Sequence, residues 1–391
     1  MTDDPKEIAR QRVERAHEAL IGLSHWIQAN PELNYHETLA CGWLVEWLEK
    51  AGFSVQRNVA DLETAFVGTY GPGPLNIAII AEYDALPEVG HACGHNIISA
   101  SAIGAGIALA AVANQLGIQV SVIGTPAEEG GGGKIVMVEK GVFDDVHCAL
   151  MVHPGPSDLL LPEVLAAQTL EVTYIGRPSH AGSFPERGIN AADAIVVAQV
   201  AIGLLRQSLT AGDRVHGIVT SGGEASNIIP ARVTAEWMVR ATTVARLDEL
   251  REKVRRCFEA GAIASGAELV ILERPVYADM RHDAALTSLY AKNLEALGRS
   301  LAGRPGDPKR LDMNRFSTDM GNVSYVTPSI HPILGIDSAP AVNHQPEFTA
   351  ATISLAADQA IFDGAVAMAW TAIDAVQDEE LRSRLLERRE V

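Results

Sequence analysis

LNIAIIAEYDALPEVGHACGHNIISASAIGAGIALAAVANQLG, residues 75–117, holds the pattern from which the rest of the chain can be read. It opens with an apolar run of strand length, passes through a polar loop containing Asp84 and the hexapeptide HACGHN (91–96), and ends in a long helix of small residues. The same grammar recurs twice. IQVSVIGTPAEEGGGG (118–133) is a second buried strand ending in a polar turn, and HCALMVHPGP (147–156) is a third. Strand, polar loop, helix predicts an α/β fold with a mostly parallel sheet flanked by helices. In such sheets the ligand site lies beyond the carboxyl ends of the strands, where these polar clusters sit.

Working outward, residues 5–29 and 36–52 carry helical periodicity, with Ala40, Leu44 and Leu48 on one face and Gly52 as the stop. The character changes near residue 167. AAQTLEVTYIGRPSHAG alternates like a half-exposed strand, and a helix (NAADAIVVAQVAIGLLRQSL), two strands (RVHGIVTSGG and ARVTAEWMVRAT), a helix (247–265) and a strand (AELVILERPVY) follow. That β-α-β-β-α-β order predicts a ferredoxin-like α+β domain at 167–279, inserted into a first domain made of 1–166 and 280–391. A chain of 391 residues is long enough for two cores.

Composition narrows the partners. With 31 basic and 49 acidic residues the formal charge is −18, which opposes binding to nucleic acid or an anionic membrane surface. The N-terminal stretch lacks the order of a signal peptide. The apolar stretch 97–117 is so rich in Gly and Ala that it reads as a close-packed core helix and not a membrane span. Cys41, Cys93, Cys148 and Cys257 have no disulfide spacing, so the expectation is a reduced, cytoplasmic protein.

Within HACGHN, Cys93 and His95 can converge on one ion if they lie in a loop at a helix start, and thiolate with imidazole favours zinc or a similar metal. The hexapeptide alone fits a buried structural turn equally well, and His91 reads as structural support. Glu128 and Glu129 end the second strand side by side. One can ligate a metal while the other addresses water, or both can be a solvated acidic turn. The glycine run after them permits close backbone approach but is no phosphate loop, because no Ser or Thr follows Lys134. His153 ends the third strand, and His344 lies in a polar turn near the C-terminus. Each is weak alone; a shared sheet would bring the three strand-end clusters side by side. That argues for Cys93, His95, Glu129, His153 and His344 as ligands of two divalent ions. Asp84 is placed to orient a ligand histidine or is a strand-end carboxylate. His180 and Asn227 can donate to an oxyanion or stabilise turns. Arg240 and Arg315 can grip a substrate carboxylate or form ordinary ion pairs.

AEYDALP, HACGHN, PAEEGGGG, MVHP, GRPSHAG, SNIIP and NHQPEF occur in an order that resembles the aminoacylase/carboxypeptidase-G-like metallopeptidases of the M20 type. The Cys in HACGH is similar to their amidohydrolase branch. Asn96, STDMGNVS (317–324) and RVHGIVTSGG (214–223) are most similar to p-aminobenzoyl-glutamate hydrolase subunits and β-alanyl-lysine dipeptidase-like proteins. The resemblance spans nearly the whole chain. It implies a dinuclear centre on the five ligands above, with zinc or manganese, or else cobalt or nickel. It implies Glu128 as general base, a homodimer (a hetero-oligomer being the alternative) formed through the inserted domain, and His180, helped by Asn227, reaching the partner's site as a lid. Ser317, in STDMGNVS, joins Arg240 and Arg315 as a substrate-binding candidate. Glu82 and Asp84 stand where the wider superfamily carries His and Asp, which leaves the sharing of ligands open. The implied activity is hydrolysis of an amide in a small, carboxylate-bearing N-acyl or aminoacyl amino acid or dipeptide. The alternatives are hydrolysis of another C–N bond, as in a hydrolytic deaminase, and a metal-stabilised subunit without turnover.

Overall fold

The computed structural model of the chain describes residues 3–300 and 315–387. They form two compact units, one drawn from the residues up to Glu163 and from Met280 onward, the other being Val164–Asp279.

In the first unit, helix α1 (Pro5–Ala29) starts where the Asp4 carboxylate accepts the Lys6 N–H at 3.0 Å, and it buries a stripe including Val13, Leu20 and Ile27. Helix α2 (Thr38–Lys50) buries Ala40, Leu44 and Leu48. Then come strands β1 (Ser54–Arg57), β2 (Phe66–Tyr70) and β3 (Leu75–Glu82), helix α3 (His95–Ala110), strand β4 (Ile118–Thr125), helix α4 (Gly133–Glu139), and strands β5 (Cys148–Leu150) and β6 (His153–Gly155).

The second unit runs β7 (Ala166–Ile175), α5 (Ala191–Leu205), β8 (Arg214–Ser221), β9 (Arg232–Ala241), α6 (Val244–Ser265), β10 (Glu268–Glu273). Its sheet has the order β10-β7-β9-β8, every pair antiparallel. Helix α5 covers the sheet with Ala191, Ala194, Ile195, Ala198 and Ile202, while Val196, Val200 and Leu204 point outward. Among the described residues the Ala191–Ser208 stretch is the one helix long and apolar enough to cross a membrane, and its inner face is part of this unit's core.

The chain then returns to the first unit with α7 (Ala284–Ala296), α8 (Met320–Val326), β11 (Ser329–Ile330), β12 (Ile333–Gly335) and α9 (Leu355–Gln377). The main sheet has the order β1-β2-β4-β3-β5-β11. β3 runs parallel to β4 and β5, and β11 parallel to β5, but β2 is antiparallel to β4 and β1 to β2. The sheet is therefore mixed: three of its five strand pairs are parallel, in keeping with the sequence pattern, and β2 is the strand that runs against the rest. The antiparallel pair escapes that pattern because β1 is a short, largely exposed edge strand (SVQR) without an apolar run.

β3 shows why the strand read as continuously apolar: Ile77, Ile79 and Ala81 enter the core on one face, Ala78 and Ile80 that on the other. Helix α3 is buried from His95 to Leu109. A Cβ on Gly104 would lie 2.7 Å from Ala365 Cβ, and one on Gly106 2.4 Å from Val122 Cγ2, so its glycines let α9 and β4 close on it. With β3, β4 and β5 parallel, Asp84, Glu128–Glu129 and His153 all emerge at one end of the sheet.

Candidate metal centre

Three glycines shape the loops that carry the candidate side chains. Gly94, at φ +79, precedes α3, and a Cβ there would meet Pro154 Cγ at 2.4 Å. Only glycine lets the start of α3, with Cys93 and His95, press against the loop carrying His153. After β4 the chain turns at Ala127 (φ +59), whose carbonyl accepts from Gly131 and Gly132 at 3.1 and 2.8 Å. A Cβ on Gly131 would collide with Ala127 and the Tyr35 ring, and one on Gly133 with the Pro126 carbonyl at 1.9 Å. The glycine run thus closes its own turn. Glu37 Oε1 accepts the Ala127 N–H at 2.9 Å and the Tyr35 hydroxyl donates to the Gly131 carbonyl at 2.7 Å, so the segment before α2 props up the glutamates.

Two sets of ligand atoms result, each with its members within 4.8 Å of one another: Cys93, His95 and His153, and Cys93, Glu129 and His344. Cys93 belongs to both. Its Sγ is 3.5 Å from His344 Nε2, which is 3.7 Å from Glu129 Oε2. His344 is brought in by a left-handed backbone (φ +69) and by donation of its N–H to the Ala92 carbonyl at 2.9 Å. The His153 ring donates through Nδ1 to the Pro154 carbonyl at 2.8 Å, and burial lowers its pKa to about 3, so Nε2 keeps a lone pair directed elsewhere. His95 is held by Asp84: its Nδ1 is 3.0 Å from Asp84 Oδ1, and although burial opposes the charge, Asp84 and Glu82 raise its pKa well above the usual imidazole range, while Nε2 is buried without a hydrogen-bond partner. Glu129 Oε1 is likewise buried without one, 3.8 Å from that nitrogen. Burial, together with the charge of Glu129, pushes the Cys93 thiol well up. Buried, partnerless acceptors around a thiol and imidazoles fit a divalent cation of borderline softness.

Glu128 Oε2 lies 3.9 Å from His95 Nε2. Burial raises its pKa well above the usual carboxylate range, and Glu82, Glu129 and Asp319 add to the shift. His91 is buried and held neutral, its pKa lowered to about 3 by burial and by His95; it belongs to neither ligand set.

The other candidates belong to neither ligand set. In the second unit His180 and Asn227 are exposed and adjacent, with the Ala181 N–H donating to the Asn227 carbonyl at 3.0 Å. His180 Nδ1 accepts from the N–H groups of Gly182 and Ser183 at 3.1 and 3.0 Å, which leaves Nε2 as the donor of the neutral ring. Arg240, on β9, is half-buried with its guanidinium against Met238 Sδ. Arg315 pairs with Glu163 at 2.9 Å. Ser317 is half-buried next to Phe316, whose ring packs 6.2 Å from that of His153 and 5.8 Å from that of His331.

Sequence reasoning did not find Tyr35, Glu37, Asp319 or His331, and it took Lys134 only as the residue that rules out a phosphate loop. Lys134 Nζ is 2.5 Å from Glu82 and 2.7 Å from Asp319, all three side chains fully buried. His331 is buried with its ring 5.5 Å from that of His153. Asp319 lies within STDMGNVS and Lys134 directly after the glycine run, but neither motif signals a buried ion pair, and Tyr35, Glu37 and His331 lie outside the motifs.

Comparison with known proteins identifies relatives of the chain. The chain is 38% identical over 388 residues to the Xaa-Arg dipeptidase of Mus musculus, covering 95% of this chain and 89% of that protein. It is 32% identical over 282 residues to one of the p-aminobenzoyl-glutamate hydrolase subunits of Escherichia coli, covering 67% of this chain and 57% of that protein. Its fold matches the crystal structure of the Bacillus subtilis YXEP protein, a dinuclear metal binding peptidase, with TM-score 0.70 at 22% identity over 93% of this chain and 99% of that one. The profile of peptidase family M20/M25/M40 matches residues 78–359, a span that takes in HACGHN, the paired glutamates, His153 and His344, and the chain belongs to that family.

Proposed function

We propose that this chain is a metal-dependent hydrolase cleaving the amide bond of a dipeptide or of an N-acyl or aminoacyl amino acid. The observation that carries this reading is the convergence of Cys93, His95, Glu129, His153 and His344 at one end of the sheet with the buried carboxyl of Glu128 beside them. Cys93, His95 and His153 would hold one ion and Cys93, Glu129 and His344 a second, with the thiolate common to both. Zinc or manganese suits these donors, cobalt and nickel being the alternatives. Bound ions of this kind polarise an amide carbonyl and make water nucleophilic at neutral pH.

The protein's own groups handle protons and charge. Glu128, whose pKa is raised chiefly by burial, takes a proton from the attacking water and passes it to the departing amine nitrogen. Asp84 keeps His95 in the tautomer that presents Nε2. We read the Val164–Asp279 unit as a ferredoxin-like lid and dimerisation domain. The exposed Val196, Val200 and Leu204, four residues apart on α5, suit burial against a second copy. His180, with Nε2 as donor, and Asn227 would then steady the oxyanion in the partner's site. Arg240, which is half-buried, and Arg315 are the anchors for a substrate carboxylate, and Ser317 supplies a polar contact near Phe316. The names of both relatives, Xaa-Arg dipeptidase and p-aminobenzoyl-glutamate hydrolase, denote an amide to an amino acid, which supports this substrate class. All four cysteines are unpaired and buried, as a cytoplasmic, reducing compartment would keep them.

The test is metal content by mass spectrometry followed by amine release from dipeptides ending in Arg, from p-aminobenzoyl-glutamate and from N-acyl amino acids. Turnover of at least one class by protein carrying two ions is expected. A fully loaded protein that releases amine from none of them would overturn the reading.

A further inference from the structure

Beyond the two ligand sets, Glu82, His95 and Glu128 make a third, fully buried group whose ligand atoms also lie within 4.8 Å of one another. Glu82 Oε2 is 3.5 Å from His95 Nε2, closer than Glu129 Oε1 at 3.8 Å or Glu128 Oε2 at 3.9 Å. Three carboxylates therefore crowd the imidazole nitrogen that faces the centre, and by distance alone Glu82 competes with Glu129 for any cation placed there. A buried oxygen-rich pocket of this kind attracts a further cation.

The chain places a cation there itself. Lys134 Nζ stands 2.5 Å from Glu82 Oε1 and 2.7 Å from Asp319 Oδ1, with all three side chains at 0% exposure. Its position is fixed twice over, because its backbone N–H also donates to Asp319 Oδ2 at 2.9 Å, and it follows directly on the glycine turn that carries Glu128 and Glu129. An ammonium withdrawn so completely from water is stable only against such carboxylates, and those carboxylates need it equally.

We propose that Lys134 is a positioning residue, a built-in cation that holds Glu82 back from the metal ions and so limits the centre to two. This rests on the dinuclear reading above. Without the ammonium, Glu82, Glu128 and Asp319 would face one another uncompensated, and an extra divalent ion would be drawn into the third group. Glu82 is the residue that makes the extra site, so neutralising it along with Lys134 should remove that site again.

The full-length protein and the variants Lys134→Met, Glu82→Gln and Glu82→Gln/Lys134→Met would each be equilibrated with Zn2+, desalted and assayed for zinc per chain, with affinities from chelator competition. Two ions are expected for the unaltered protein, Glu82→Gln and the double variant, and three for Lys134→Met. The proposal is overturned if Lys134→Met holds two ions at unaltered affinity, or if its extra ion persists in the double variant. Should Lys134→Met fail to fold, the double variant is expected to fold and melt at a higher temperature, and a double variant that is equally unfolded overturns the proposal. Fewer than two ions in the unaltered protein would instead defeat the dinuclear reading beneath it.

Discussion

Asp84 joins the two halves of the candidate centre: its Oδ1 lies 3.0 Å from His95 Nδ1 while its Oδ2 accepts the backbone N–H of Glu129 at 2.9 Å. One carboxylate thus fixes the ring orientation of one prospective ligand and the loop of another. Its own pKa stays low despite burial, because His95 faces it. Asp84→Ala removes both constraints, and loss of such a partner typically weakens metal binding by about 10–100-fold. Chelator competition on the variant checks this; unaltered affinity would show that His95 is oriented by something else.

Glu128 and Glu129 are neighbours in sequence with separate assignments, and substitution should separate them. Glu128→Gln should retain both ions and lose about 10²–10⁴-fold in turnover, the usual contribution of a general base. Glu129→Gln should lose metal first. Zinc content and amine release, measured on the same preparations, distinguish the two. If Glu128→Gln kept more than about a tenth of the rate, the proton would have to pass through another group.

The Cys93 thiol is buried, and burial with Glu129 nearby keeps it protonated at neutral pH. A metal binds the thiolate, so binding must expel that proton. The sign is fixed by the raised pKa: affinity grows with pH, by about tenfold per unit for each proton released, and falls on acidification. Calorimetric titration with Zn2+ in buffers of different ionisation heat counts the protons. Cys93→Asp should release about one fewer. An unchanged count would mean that the thiol is not a ligand.

The strand ends that carry the candidate centre were legible because Asp84, Glu128, Glu129 and His153 each terminate an apolar run, and parallel strands deliver such residues to one place. The Lys134–Glu82–Asp319 group was not: Lys134 follows the glycine run and Asp319 lies within STDMGNVS, but they stand 185 positions apart and nothing in either motif signals a buried ion pair. Tyr35 and Glu37 were missed for the same reason: they support the glutamate turn from a segment that is polar and irregular. β1 and β2 escaped because a short edge pair with one face in solvent carries no sustained pattern. Local periodicity reports burial, and it is silent about polar contacts that only the folded chain creates.

His180 is the site candidate whose assignment depends on a second copy of the chain. The exposed stripe of Val196, Val200 and Leu204 predicts that Val200→Glu with Leu204→Glu converts a dimer to monomer in sedimentation, because two charges would face apolar contacts. If His180 serves the partner's site, Glu128→Gln and His180→Ala should each be inactive alone yet complement when mixed. A mixed dimer joins one chain with Glu128 intact to a partner with His180 intact, so one of its two sites works. Random reassortment of equal amounts makes half the dimers mixed, and about a quarter of full activity should return. No recovery after verified subunit exchange would place His180 outside the partner's chemistry, and recovery in the Val200→Glu/Leu204→Glu background would show that α5 is not the contact.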